Sequence, residues 1–193
     1  MPKIVKDLRD RAIREARRIL TAPENTAFTM RGVAAACGVA AGTLYNYFPS
    51  KEYLIGCVVL EDWQAAVDEM TALARGAHTV QQGVEGLYTA MCRFVEAHRY
   101  LTSFDIRGGK DGFDYAGRHI LLRRQIEALL ALLETRFGVG PDSGITTFLA
   151  ESILSFSTKE YDYSQLSAAF NKLWPSSTTS GPGKRTSKEE DLS

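Results

Sequence analysis

One short segment places hydroxyl, amide and aromatic side chains next to one another, which suits contacts with nucleic acid. These side chains are Thr43, Tyr45, Asn46 and Tyr47. They can bind phosphate oxygens or base edges. The preceding residues, Ala40–Gly42, are small, so the backbone can come close to DNA, and the free N–H groups at the start of a helix favour phosphate. The methyl group of Ala41 or Thr43 can meet a thymine methyl group. The segment therefore predicts a DNA-binding surface.

The charge distribution agrees with such a surface. Residues 1–51 contain nine Lys and Arg against four Asp and Glu, whereas residues 52–174 contain eleven basic and sixteen acidic residues. The chain of 193 residues is neutral as a whole. This asymmetry indicates a polyanion-binding head on a body with another role, although a basic cluster taken alone is also typical of a solvated helix.

Residues that favour the starts and ends of helices surround the polar segment of residues 43–47. The apolar spacing predicts a first helix that ends before Pro23. Thr29 can cap a second short helix, which should stop at Gly38, a residue suited to the left-handed conformation. A third helix is expected over residues 40–48, closed by Pro49, with Leu44 and Phe48 facing the core because they are four residues apart. Two short helices joined by a tight turn predict a helix-turn-helix, whose second helix enters the major groove.

The sequence around this turn is similar to a known family. The segments FTMRGVA (residues 28–34) and CGVAAGTLYNYFPSKE (residues 37–52) closely resemble the TetR family of bacterial transcriptional regulators. The resemblance covers about the first 60 residues. It implies a homodimer whose two recognition helices read successive major grooves of a palindromic operator. It also implies a repressor that a small-molecule effector releases from DNA.

The resemblance assigns DNA contacts, chiefly to the backbone, by position. They fall on Thr29, Gly42, Thr43, Tyr45, Tyr47 and Lys51. Side-chain chemistry adds three further candidates for DNA contact, which are Arg31, Ala41 and Asn46. Arg31 is equally compatible with a solvated side chain. Ala40 and Ala41 stand where the family often has a capping serine and a longer polar residue. We therefore expect sparse direct readout, with more left to Asn46, Thr43 and DNA shape.

The remainder of the chain also has helical spacing, so the predicted fold class is all-α. A long helix from Lys51 to about residue 75 should join a DNA-binding head (residues 1–50) to a helical effector-binding and dimerisation body (residues 51–174). Further helices are expected over residues 79–98, 115–137, 142–158 and 163–174, with a loop at the glycines of 108–112. Residues 175–193 are rich in Ser and Thr and predict a disordered tail. The helices of 115–137 and 142–158 carry surplus apolar surface and are the expected dimer elements.

The sequence of the body does not identify individual effector-binding residues. Its aromatic, Met, Cys and His side chains are expected to be mostly core, and they are Trp63, Tyr88, Met91, Cys92, His98, Phe104 and His119. The histidines lack ligand-type partners four residues away, so neither a metal site nor a cofactor is expected.

Other classes of protein fit the sequence less well. None of the catalytic fingerprints for serine hydrolases, zinc proteases or nucleotide-binding enzymes is present, so the chain is not expected to be an enzyme. Three separated cysteines, no apolar run long enough for a bilayer and no signal-peptide pattern predict a cytoplasmic protein without membrane partners. The alternative is a helical adaptor that binds a protein partner, with an incidental basic head.

Overall fold

In a computed structural model of the protein, residues 7–22, 28–103, 115–138, 143–158 and 163–173 are described, and every regular element among them is a helix. The predicted all-α fold is confirmed. In chain order the elements are α1 (Leu8–Leu20), α2 (Met30–Ala36), α3 (Ala41–Tyr45), α4 (Lys51–Gly76), α5 (Val80–Ala97), a 3₁₀ helix (Arg99–Ser103), α6 (Tyr115–Phe137), α7 (Ser143–Ser157) and α8 (Tyr163–Leu173).

Side-chain caps fix where three of these helices begin. In each case a hydroxyl oxygen accepts a hydrogen bond from the backbone N–H three residues later, at 3.0–3.1 Å. The capping residues are Thr29 for α2, Ser50 for α4 and Thr79 for α5. Each hydroxyl satisfies an N–H group that has no partner inside its helix, and this confirms the starts predicted for α2, α4 and α5.

Two separate groups of buried side chains organise the molecule. The head core joins α1, α2 and α3 to the first turns of α4, which contribute Leu54, Ile55 and Val58. The body core joins the rest of α4 to α5, α6, α7 and α8, and begins on α4 at Trp63. Because α4 belongs to both cores, its 26 residues connect the head to the body without a break.

The structure corrects the predicted length of the third helix. Helix α3 ends at Tyr45, whereas the sequence predicts helix as far as Phe48. The N–H groups of Tyr47 and Phe48 both donate to the carbonyl of Leu44 at 3.0 Å, so a turn continues the chain after the helix. Pro49 disfavours a helical backbone at the residue before it, which explains the early end. The 3₁₀ helix at 99–103 is also an element that the sequence pattern does not predict.

Helix α1 ends at Leu20, before Pro23, as predicted. Some other expectations fall on residues outside the described ranges. They are the loop at 108–112, Phe104, the side chain of His119 and the tail at 175–193. Within the described part of the chain, no helix is both long enough and apolar enough to cross a bilayer.

Candidate DNA-binding surface

The turn between α2 and α3 is held by its own backbone. The N–H groups of Gly38 and Val39 donate to the carbonyls of Ala35 and Ala34, both at 3.0 Å. Gly38 has φ +65°, the left-handed conformation that costs an L side chain about 1–2 kcal/mol. This confirms the predicted left-handed stop at Gly38. The tight turn sets α3 against α2 as a helix-turn-helix requires.

Buried side chains fix the position of α3 from behind. Leu44 and Phe48 are fully buried in the head core, as their spacing predicts. Val33 of α2 is fully buried in the same core, and Met30 nearly so. Since these side chains leave α3 little freedom to rotate, the opposite face of the helix is held towards solvent.

The polar segment lies on that outer face. Tyr45 is 48% exposed, and Asn46 and Gly42 are also exposed. Thr43 and Tyr47 are half-buried, and the ring of Tyr47 packs partly against the head core. The hydroxyls and the amide of this face are therefore available for phosphate oxygens or base edges.

The residues at the N-terminal end of α3 are small and leave the backbone there accessible. Ala40 is exposed and Ala41 is half-buried. A Cβ atom added at Gly42 would find no atom within 4 Å. The backbone at this helix end can therefore approach DNA closely, while Ala40 provides no side-chain cap.

Residues at the starts of α2 and α4 flank α3. Arg31 is exposed on the first turn of α2, next to Thr29, whose hydroxyl oxygen is used for capping and whose O–H can still donate. Lys51 begins α4 and is half-buried, with its Nζ 5.7 Å from the centroid of the Phe28 ring. A cation over an aromatic face is attracted to it, so this contact helps to position the ammonium group.

Sequence reasoning missed Tyr53. It lies on the first turn of α4, is 48% exposed, and has its ring centroid 6.3 Å from that of Phe48. It therefore offers a second exposed phenol beside the end of the helix-turn-helix. Its signal in the sequence is a tyrosine just before the buried pair Leu54 and Ile55, on the polar side of an amphipathic helix.

The aromatic, Met, Cys and His residues of the body are largely core, as expected. Trp63, Tyr88, Met91 and His98 are buried, while Cys92 is half-buried. In the described ranges, no group of three or more His, Cys, Asp or Glu side chains is arranged to hold a metal ion.

Comparison with known proteins assigns the head to a family. Residues 13–56 match the model of the bacterial regulatory proteins of the tetR family. The HTH-type transcriptional regulator UidR of Escherichia coli K12 is 32% identical over 79 residues, which are 41% of this chain and 40% of UidR. The match thus spans less than half the length of this curated relative.

Solved structures extend the likeness to the whole fold. FadR from Bacillus subtilis, in complex with stearoyl-CoA, has a TM-score of 0.58 at 15% identity, over 86% of this chain and 97% of FadR. The fatty acid degradation regulator FadR from Bacillus halodurans has a TM-score of 0.54 at 19% identity, over 86% and 96% of the two chains. At these identities the likeness concerns the fold. The relatives are transcriptional regulators, which confirms the expectation that the chain is not an enzyme.

Proposed function

Because residues 13–56 match the model of the tetR family of bacterial regulatory proteins, we propose that the chain is a ligand-responsive transcriptional repressor of that family. In this proposal it binds a palindromic operator as a homodimer in the cytoplasm and leaves the DNA when a small-molecule effector binds the body. The observation that carries the proposal is the outer face of α3, which exposes Tyr45 and Asn46 while Leu44 and Phe48 lock the helix from behind.

Contacts with phosphate supply most of the proposed affinity. The residues placed to make them are Thr29, Arg31, Gly42, Tyr45, Tyr47 and Lys51. Asn46 and Thr43 remain for base edges, and Ala41 for a thymine methyl group. With so few long side chains at the start of α3, the operator is also selected by its shape and deformability.

An apolar surface on α6 and α7 supports the homodimer. Ile120 and Leu121 of α6 are 42% and 52% exposed, and Phe148 of α7 is 57% exposed. The two helices pack against each other, so their outer faces can form one surface. A two-fold symmetric interface would cover the same side chains on both copies.

The body supports a proposal for the effector class. Its core is packed with apolar and aromatic side chains of α4 and α5, among them Met70, Leu87 and Met91. One structural neighbour was solved with stearoyl-CoA. A long-chain acyl-CoA is therefore the first effector to test, with free coenzyme A as the control that lacks the apolar chain.

Selection of binding sites from random duplex DNA tests the function. We expect the purified protein to enrich a palindrome, and Thr43→Ala and Tyr45→Ala to lose it. Thr89→Ala, a matched change at an exposed position of α5, should keep the wild-type site. No enrichment at low salt would contradict the proposal and favour the helical adaptor, whose apolar docking does not depend steeply on salt.

A further inference from the structure

A cluster of polar side chains ties the head to the body. We call Arg17 of α1, Asp62 of α4 and His98 after α5 the junction cluster. The guanidinium Nε of Arg17 donates to one oxygen of Asp62 at 2.7 Å, and Nε2 of His98 lies 3.1 Å from the other oxygen. Asp62 is thus held between a helix of the head and the end of a helix of the body.

The partners of the His98 ring determine how many hydrogen bonds each of its protonation states can make. Nδ1 lies 2.7 Å from the backbone carbonyl of Phe94, and Nε2 faces the Asp62 carboxylate. Both partners can only accept hydrogen bonds, so both contacts are hydrogen bonds when the ring carries two protons. A neutral ring satisfies one of them and turns a lone pair towards the other oxygen. With the side chain only 7% exposed, water cannot easily replace the lost bond.

Aromatic contacts extend the cluster in both directions. The His98 ring centroid is 4.3 Å from that of Phe94, which in turn is 5.1 Å from Trp63 in the body core. On the other side, the ring of Tyr100 is 5.6 Å from His98 and packs against the head core. A displacement at the end of α5 therefore reaches the head through packed rings as well as through Asp62.

We propose that His98 and Asp62 form a protonation-dependent clamp through which the body holds α1 of the head. In its imidazolium form His98 binds Asp62 and the end of α5 together, and Asp62 binds Arg17. Loss of the proton breaks one of the two ring contacts and loosens the head. The idea deepens the proposed function, because it gives the body a second route for controlling the orientation of the DNA-binding helices.

The charged and titratable groups around the ring come from every neighbouring element. They are Arg17 on α1, Glu61 and Asp62 on α4, Glu96 near the end of α5, and Arg99 with Tyr100 on the 3₁₀ helix. Burial, with the nearby Asp62 charge, raises the pKa of Tyr100 to about 12, so the phenol stays neutral near pH 7.

Hydrogen exchange of the α1 amides tests the clamp directly. We expect the protection of α1, corrected for intrinsic rates and followed as the pH is raised, to fall about tenfold once the ring loses its second proton. In Asp62→Asn the new amide can donate to a neutral ring, so this fall should disappear. His98→Asn should also abolish it, whereas the exposed control His78→Asn should behave as wild type.

The outcomes separate the clamp from the proposed function. An unchanged pH response in His98→Asn or Asp62→Asn, or no response in the wild-type protein, would overturn the clamp. Loss of the response in both variants, with circular dichroism unchanged, would support it. The exchange experiment contains no DNA, so it decides the clamp even if no operator is found, and a missing operator would count against the repressor alone.

Discussion

Phe148 offers a quantitative test of the proposed dimer. It lies on α7 with 57% of its surface exposed. A phenylalanine presents roughly 150–250 Å² of surface, so the exposed part is about 110 Å². At about 25 cal/mol per Å², burying this surface stabilises an interface by about 3 kcal/mol. A two-fold symmetric dimer buries the side chain of both copies, so the contribution occurs twice. Because alanine keeps the Cβ atom, Phe148→Ala should cost about 4 kcal/mol per dimer, or roughly a thousandfold in the dissociation constant.

Sedimentation equilibrium over a range of protein concentrations measures this constant. The matched control is Leu60→Ala on α4, since Leu60 is 62% exposed but lies on a different helix from the proposed interface. Circular dichroism should be unchanged in both variants, because neither side chain belongs to a buried core. Leu121→Ala on α6 should weaken the dimer in the same direction as Phe148→Ala.

Two results would refute this reasoning. If the wild-type protein sediments as a monomer at micromolar concentrations, the exposed side chains of α6 and α7 do not make a stable interface. If Phe148→Ala and Leu60→Ala leave the dissociation constant equally unchanged, a dimer exists but another surface makes it. Either result would require a different geometry for two heads on one operator.

Three further predictions concern packing, DNA binding and pH. A Cβ atom at Gly83 would press into the buried side chain of Leu133, so Gly83→Ala should lower the free energy of unfolding by about 1–2 kcal/mol. A Cβ atom at Gly86 would make only ordinary contacts, from 3.4 Å, so Gly86→Ala should raise the free energy of unfolding by about 0.5–1 kcal/mol. Urea denaturation measures both. Lys51→Gln should lower the slope of log affinity against log salt by about one, measured by fluorescence anisotropy with the selected operator. Burial raises the pKa of Tyr163 to about 12. Because the unfolded chain loses this phenolic proton at lower pH than the folded chain, the free energy of unfolding should fall between about pH 10 and 12. The fall should be less steep in Tyr163→Phe.

Features encoded by neighbouring residues could be predicted from the sequence. The boundaries of α6 at Tyr115 and Phe137 agree with the apolar spacing and the glycine that follows. The caps at Thr29 and Ser50 depend on one hydroxyl and an N–H group three residues away, so a short stretch of sequence contains all the necessary information. The burial of Leu44 and Phe48 likewise follows from their spacing.

Features that depend on tertiary packing could not be predicted. Asp62 and His98 are 36 residues apart, and their contact exists only because the end of α5 lies beside α4. Helical spacing marks His98 simply as one of several aromatic positions in the body. In the same way, the sequence does not show that the ring of Tyr53 lies beside Phe48, because that depends on how α4 packs at the end of the helix-turn-helix. The assignment of individual DNA contacts stays a prediction.

The position of the junction cluster bears on how an effector could act. A long helix shared by both cores transmits motion only as far as it stays rigid along its length. The 3₁₀ helix after α5 adds a second support, because Tyr100 and Leu101 pack against the head core. Contacts from α4 and from the 3₁₀ helix therefore hold the orientation of the head together. An effector that shifts the end of α5 relative to α4 would therefore rotate the head even if α4 itself did not bend.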